Sequence, residues 1–206
     1  MKAVRWHGVR DVRVDEVPDP VLQEPTGAII RVTSSGLCGS DLHLYETLGP
    51  FTGEGNIPGH EPMGVVAEVG SAVAGLSVGD RVVIPFQISC GHCWMCGQGL
   101  FTQCETTQVR EQGTGAALFG FSKLYGEVPG GQAEYLRVPQ AQSTHISVPD
   151  GPADQRFVFL SDVASTSCLS GWPGWSPTGR RFSTSARSTT SAPQCVSSHR
   201  AAAPAR

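Results

Sequence analysis

The stretch Cys90-Gly91-His92-Cys93-Trp94-Met95-Cys96, closed by Cys104, constrains this chain more than any other. Four cysteines at spacings C-x2-C-x2-C-x7-C predict a tetrathiolate site for a divalent metal, with zinc as the first choice. Thiolates are soft donors, and four of them around one ion leave no position for water or substrate. Such a site folds a loop and does not catalyse. Iron also suits four thiolates and is the nearer rival to zinc. Two disulfides, or four independent thiols, are the blander alternatives, and the spacing disfavours both. Gly91 and Gly97 are expected to relieve the tight backbone between ligands. Because four sulfurs fill a tetrahedron, His92 is expected to be exposed and outside the ligand set. A thiol–disulfide couple at Cys90/Cys93 or Cys93/Cys96 lacks the βαβ context that such chemistry uses.

Around this knot the chain is rich in turn formers, with 25 Gly and 15 Pro among 206 residues and a hydrophobic content of 39%. No apolar run approaches the roughly 20 residues of a membrane span. The opening Met1-Lys2-Ala3-Val4-Arg5-Trp6 lacks the apolar core of a signal peptide. Seven cysteines, four of them in metal spacing, fit a reducing cytoplasm better than a disulfide framework. The net charge of −3 argues against a basic nucleic-acid binder. That average hides two polymers. Ten of the fifteen basic residues and all eighteen acidic ones lie before Ala164. Beyond it come five arginines (Arg180, Arg181, Arg187, Arg200, Arg206) in a background of Ser, Thr, Ala, Pro and Gly, with Leu169 and Val196 the only larger aliphatics. Such a segment buries too little apolar surface to offset its ordering entropy. The division is therefore a domain over residues 1–164 and a low-complexity tail over 165–206, expected to be disordered. Cys168 and Cys195 fall in that tail and receive no role, and His7, His145 and His199 carry no visible signal.

Short strands punctuated by Gly and Pro dominate the first part. Lys2 to His7 and Val12 to Val17 flank a turn, and Ala28 to Thr33 is dense in β-branched residues. A turn at Gly36-Leu37-Cys38-Gly39 leads to Ser40, expected to cap a short helix through Leu44. Further strands are expected at Pro62 to Gly70, within Leu76 to Ile84, at Ala133 to Val138 and at His145 to Val148. Almost no helical periodicity is present, so the fold class is mainly β, a barrel or sandwich.

Cys38, His60 and Glu61 form a second constellation, carried by the glycine-containing runs Gly36-Leu-Cys-Gly39 and Gly59-His-Glu61. A catalytic zinc takes three protein ligands from Cys, His and carboxylate and keeps one position open. Asp162 is the best placed third ligand, and Glu61 is the alternative as an exchangeable ligand or supporting partner. Taken alone, one Cys and one His are more often a core and a surface residue.

The order of motifs changes that balance. Gly36-Leu-Cys-Gly-Ser-Asp-Leu-His43, Gly59-His-Glu-Pro-Met-Gly-Val-Val-Ala-Glu-Val-Gly70, Val78-Gly-Asp-Arg-Val82 and the Cys90 to Cys104 knot follow one another. Together they resemble the catalytic domain of the zinc-dependent medium-chain alcohol dehydrogenase family. Phe119 to Gly126, Pro129 to Tyr135 and Leu160-Ser-Asp162 resemble its glutathione-independent formaldehyde dehydrogenase branch. The resemblance implies a GroES-like (chaperonin-10-like), partly open β-barrel with a structural zinc lobe, and two zinc ions per chain. It makes Cys38, His60 and Asp162 the catalytic zinc ligands, and Cys90, Cys93, Cys96 and Cys104 the structural ones. Glu61 then sits beside the catalytic metal, Ser40 receives the proton of the substrate hydroxyl, and His43 passes it toward solvent. The implied reaction moves hydride between a small alcohol or aldehyde and NAD(P).

The family pattern stops near Ala164. A dinucleotide-binding domain opening on Gly-x-Gly-x-x-Gly is expected there, and no such turn occurs in the sequence. Gly113-Thr-Gly-Ala-Ala-Leu118 holds only the first two glycines and is expected to be a loop inside the first domain. An abrupt change to an acid-free basic stretch is what a shifted reading frame produces, and translating the source DNA in the other frames tests that. A native tail touching a partner through Trp172 and Trp175 is the alternative. Hydride transfer needs nicotinamide held within about 3.5 Å of the substrate carbon. The chain alone is therefore expected to bind zinc but not nicotinamide, and to be inactive. The uncovered apolar surface is expected to promote association or a homo-oligomer. A non-catalytic, zinc-stabilised β-barrel that binds partners is the competing function.

Overall fold

The computed structural model describes residues 1–163, and the expectations for residues 165–206 lie outside the described residues. Seven strands and two α-helices are present among the described residues, so the chain is mainly β as expected. Strands β1 (Lys2–Gly8) and β2 (Asp11–Glu16) form an antiparallel ribbon. Strands β3 (Ala28–Ser35), β4 (Pro62–Val69), β5 (Arg81–Val83), β6 (Tyr135–Val138) and β7 (Ile146–Ser147) form an antiparallel sheet in the order β6-β3-β4-β5-β7. The sheet does not close on itself. Two register shifts between β3 and β4, at Ile29/Ile30 and Val32/Ser34, bend it, as inserted residues do. An isolated bridge between Ala3 and Ala133 holds the ribbon against the approach to β6.

Both faces of the sheet are covered. Ala28, Ile30, Val66, Val82, Leu136 and Val138 point to one side and pack with Ile84, Ile88 and Phe119. Met63 and Val83, opposite one another in the β4–β5 register, point to the other side and pack with Val158. Alternate residues of a strand face opposite ways, so the continuous apolar run Val82-Val83-Ile84 suits a strand buried on both faces. The second face is covered by the return of the chain through the single turns Asp154–Arg156 and Val158–Leu160. Arg81 pins that return: its guanidinium donates to Pro149 O (2.7 Å), Pro152 O (2.9 Å) and Asp154 Oδ1 (2.5 Å).

Helix α1 (Gly39–Glu46) departs from the expectation in two ways. Its N-cap is Cys38, not Ser40, because the extended Cys38 backbone offers its amide to Asp41 Oδ2 at 2.8 Å, three residues on. Ser40 is therefore inside the first turn, and the helix runs past Leu44 to Glu46. Gly113 is a left-handed residue ending a turn, so Gly113 to Leu118 is a loop as expected.

His145 is buried although nothing in the sequence marks it. Its Nδ1 meets Ala141 O at 2.5 Å, and Nε2 has no hydrogen-bond partner. Burial holds its pKa below the ordinary 6.5, against the opposing pull of Ala141 O and Asp80. The unfolded chain then takes up a proton that the native chain refuses, so stability falls as pH drops below 6.5. The thermal midpoint is expected to fall between about pH 6.5 and pH 5, and His145→Gln is expected to flatten that part of the profile.

Candidate metal centres

The β3–β4 register builds the first centre. Ser35 stands opposite Pro62, and Gly36 donates to Glu61 O at 2.9 Å, so Cys38 and His60 leave the same end of the sheet side by side. His60 is brought in by Gly59, a left-handed residue (φ 100°) whose backbone touches Gly120 and Gly130 so closely that a Cβ on either would clash. The packing of Val158 on Met63 and Val83 places the end of the return beneath them, and Ser161 O accepts the Phe86 amide at 3.1 Å. Asp162 follows directly. Its Oδ2 lies 3.3 Å from Cys38 Sγ and 3.5 Å from His60 Nε2, and one donor atom from each of the three residues lies within 4.8 Å of the others. Donors around a tetrahedral ion with bonds of about 2.0 to 2.3 Å stand about 3.3 to 3.8 Å apart. The three residues fit such an ion, and three protein donors leave a fourth position for another ligand.

Asp41 was not singled out from the sequence, although it stands three residues after Cys38 in the same motif. Its buried Oδ1 approaches His60 Nδ1 at 3.6 Å, and neither atom has a hydrogen-bond partner. His60 thus presents Nε2 to the cluster and Nδ1 to a carboxylate, an arrangement that orients an imidazole ligand and raises its basicity. Burial alone would lower the His60 pKa, but Asp41, Cys38 and Asp162 outweigh it and push it up to about 9. Asp41→Asn keeps the helix cap and removes the charge. It is expected to weaken metal retention at this centre about 10- to 100-fold, measured by chelator competition.

Glu61 is buried beside the cluster and is not one of the converging donors. Its carboxylate lies against Gly36, where a Cβ would come within 2.0 Å of Oε2. Burial raises its pKa, His60 lowers it, and Asp162 and Asp41 raise it further. Ser40 and His43 lie three apart on α1, Ser40 Oγ 3.8 Å from Cys38 Sγ and His43 exposed. Phe121, within the Phe119 to Gly126 motif but given no role from the sequence, makes edge-type contacts with the His60 ring at 6.3 Å and with Tyr125 at 5.6 Å. Leu37, Leu42, Phe159 and Val163 flank this end and are more than half exposed.

The second centre is the cysteine lobe. Helix α2 (Trp94–Gly97) is capped by Cys93, whose sulfur accepts the Cys96 amide at 3.4 Å. The Cys90 sulfur accepts the Cys93 amide and the Cys104 sulfur accepts the Cys90 amide, both at 3.3 Å. The four sulfurs lie within 4.8 Å of one another, and Cys93 and Cys104 are 4.0 Å apart. Sulfurs on a tetrahedral zinc at about 2.3 Å stand about 3.8 Å apart, so the four residues fit. Burial raises the Cys104 pKa, but donors on Thr107, Cys90 and Thr106 prevail and hold it below the ordinary thiol range. All five cysteines of the described residues are free thiols, and His92 is exposed, with Nδ1 at 2.9 Å from Cys90 O. The backbone relief differs from expectation: Gly91 and Gly99 are left-handed (φ 78° and 77°), whereas Gly97 lies within α2.

Residues 24–150 match the model of the alcohol dehydrogenase GroES-like domain. The chain belongs to that family. It is 46% identical over 168 residues to an uncharacterized zinc-type alcohol dehydrogenase-like protein of Bacillus subtilis, covering 81% of this chain and 44% of that protein. A glutathione-independent formaldehyde dehydrogenase of Pseudomonas aeruginosa is 35% identical over 177 residues, covering 82% and 41%. Among solved structures, the alcohol dehydrogenase TADH from Thermus sp. ATN1 superposes with a TM-score of 0.73 at 37% identity, covering 81% of this chain and 45% of that one. This GroES-like chain thus spans less than half the length of the relatives it matches. No helix among the described residues is long and apolar enough to cross a membrane.

Proposed function

We propose that this chain is the metal-bearing catalytic domain of a zinc-dependent alcohol or aldehyde dehydrogenase. The observation that carries this reading is the convergence of Cys38, His60 and Asp162 with a fourth position left over, in a chain that also builds a closed four-cysteine lobe. Cys38, His60 and Asp162 would hold the catalytic zinc, and Cys90, Cys93, Cys96 and Cys104 the structural one. A zinc ion in the first centre supplies Lewis acidity that makes an alcohol hydroxyl easier to deprotonate. Ser40 takes that proton from the substrate hydroxyl, and the exposed His43 passes it to solvent. Asp41 fixes the ring of His60. Glu61 is a supporting group at the same end, and the edge of Phe121 keeps water from one side of the imidazole. The relatives' names point to an alcohol in one case and to formaldehyde in the other, and a small alcohol or aldehyde is the substrate class in this reading.

NAD(P) is the hydride partner in this reading, and the sequence holds no Gly-x-Gly-x-x-Gly turn to seat it. The 206-residue chain by itself is therefore expected to bind two zinc ions per chain without turning over alcohol. Free cysteine thiols suit a reducing compartment, and we place the protein in the cytoplasm. The exposed Leu37, Leu42, Phe159 and Val163 are expected to drive self-association. Metal content with fluorescence titration of NADH and NADPH tests the reading. Two zinc ions without saturable nicotinamide binding support it. A chain with lobe zinc alone supports the competing reading, a zinc-stabilised binding module.

A further inference from the structure

We propose that Thr144 is a positioning residue for the cysteine lobe: its hydroxyl holds the main chain of Ser89 and so presents Cys90 to the metal. The proposal rests on the reading of the lobe as a metal site. Thr144 is fully buried in the turn between β6 and β7. Its Oγ1 accepts the Ser89 amide at 3.2 Å and donates to the Ser89 carbonyl at 3.1 Å. One hydroxyl thus stands in for the strand partner that residue 89 lacks, since the last bridge before the lobe is Gln87 with Leu118. Buried main-chain groups require partners, and here both depend on the same side chain.

Two further contacts fix the same corner. Ser143 Oγ lies 3.3 Å from Ser89 Oγ, and Ser143 presses on Gly91 so closely that a Cβ there would come within 2.8 Å of it. The neighbours of Cys90 on both sides are therefore held by Ser143 and Thr144. One residue earlier, Thr107 Oγ1 donates to Ile88 O at 2.5 Å. The holding segment is itself fixed just outside the sheet: the amides of Ser143 and Thr144 donate to Gln140 O at 2.9 Å, and the Ala141 amide donates to the O of Thr26, two residues before β3, at 2.7 Å. Cys90 is buried between these held neighbours, and its amide reaches Cys104 Sγ. Cys93 and Cys96 ride on α2, a single turn whose Trp94 and Gly97 are exposed. Cys90 is thus held by its fixed neighbours, whereas Cys93 and Cys96 depend on the partly exposed α2 turn. Groups that fix a ligand in this way typically change metal affinity 10- to 100-fold.

The test uses the full chain loaded with zinc, mixed with excess chelator and followed by native mass spectrometry. The Cys38→Ser background isolates the lobe metal, and cobalt substitution reports the lobe through its thiolate charge-transfer absorption. Thr144→Val is expected to speed release of lobe metal about tenfold, and Thr144→Ser to restore the original rate. Ser143→Ala, a milder change, is expected to speed it severalfold. In chains that retain Cys38, zinc at the Cys38–His60–Asp162 centre is expected to leave at an unchanged rate in all of these variants, which a general loosening of the fold would not allow. Unchanged lobe release in the valine and alanine variants, equal release in the valine and serine variants, or parallel loosening of both centres overturns the proposal. A chain that takes up no lobe metal at all overturns the underlying reading and the proposal with it, a result distinct from unchanged release.

Discussion

Replacing Cys104 by serine is expected to empty the cysteine lobe of metal and to destabilise the domain strongly. Cys104 is fully buried, and its sulfur receives the Cys90 amide and donors from Thr106 and Thr107. Its side chain packs with Phe101 and Ala116, so the lobe core and the metal site are the same group of atoms. A serine hydroxyl stays neutral where a thiolate is needed, binds a soft ion weakly, and is too short to meet all of those donors. Metal binding to such a lobe is folding free energy, because the closed site does not exist in the unfolded chain. The expected loss exceeds about 4 kcal/mol, a fall in thermal midpoint on the order of 10 °C for a domain of this size. Metal analysis is expected to show one zinc per chain in the variant against two in the parent. Unchanged metal content together with an unchanged midpoint would remove the lobe from the list of metal sites.

Asp162→Asn is expected to do the reverse: to take the metal from the first centre and leave the fold standing. Asp162 is half buried at the end of the return strapped down by Arg81 and Asp154, and nothing in the core cluster of Met63, Val83 and Val158 depends on its charge. The amide keeps the shape of the carboxylate and loses the negative charge that balances a divalent ion. Metal affinity at the first centre is expected to fall by at least about 100-fold, with lobe metal retained and the thermal midpoint nearly unchanged when parent and variant are compared with the first centre stripped of metal. Glu61→Gln is the companion measurement. Because Glu61 lies against Gly36 and outside the converging donors, it is expected to leave both metals in place. Loss of the first-centre metal in the Glu61 variant with retention in the Asp162 variant would exchange their roles.

The two centres differ in how far they were legible beforehand. The lobe spans fifteen residues, so ligand spacing alone constrains which sulfurs meet, and little chain need be ordered to bring them together. The backbone relief was legible only in kind: Gly91 takes the left-handed turn as expected, while the second such turn falls at Gly99 because α2 absorbs Gly97. In the first centre the residue types and their motifs were visible, and the family resemblance named Asp162, yet nothing local joins it to Cys38 across 124 residues. The helix cap shows the limit at small scale. Ser40 is the better N-cap by residue type, but the extended Cys38 and the Asp41 carboxylate moved the helix start two residues back.

Short-range chemistry was thus settled by the order of residues alone: four thiols at metal spacing, strands marked by β-branched runs and stopped by proline, and motifs that place the chain in its family. The tertiary structure decided which distant groups share a volume. The β3–β4 register brings Cys38 to His60 and so gives Asp41 its partner, the packing of Val158 on Met63 and Val83 delivers Asp162, and the turn after β6 carries Thr144 to Ser89. The physical reason is that a hydrogen bond or metal bond is selected by distances of a few ångströms. For groups far apart in the chain, those distances are set by the burial of apolar side chains over the whole sheet, and no local stretch carries that information.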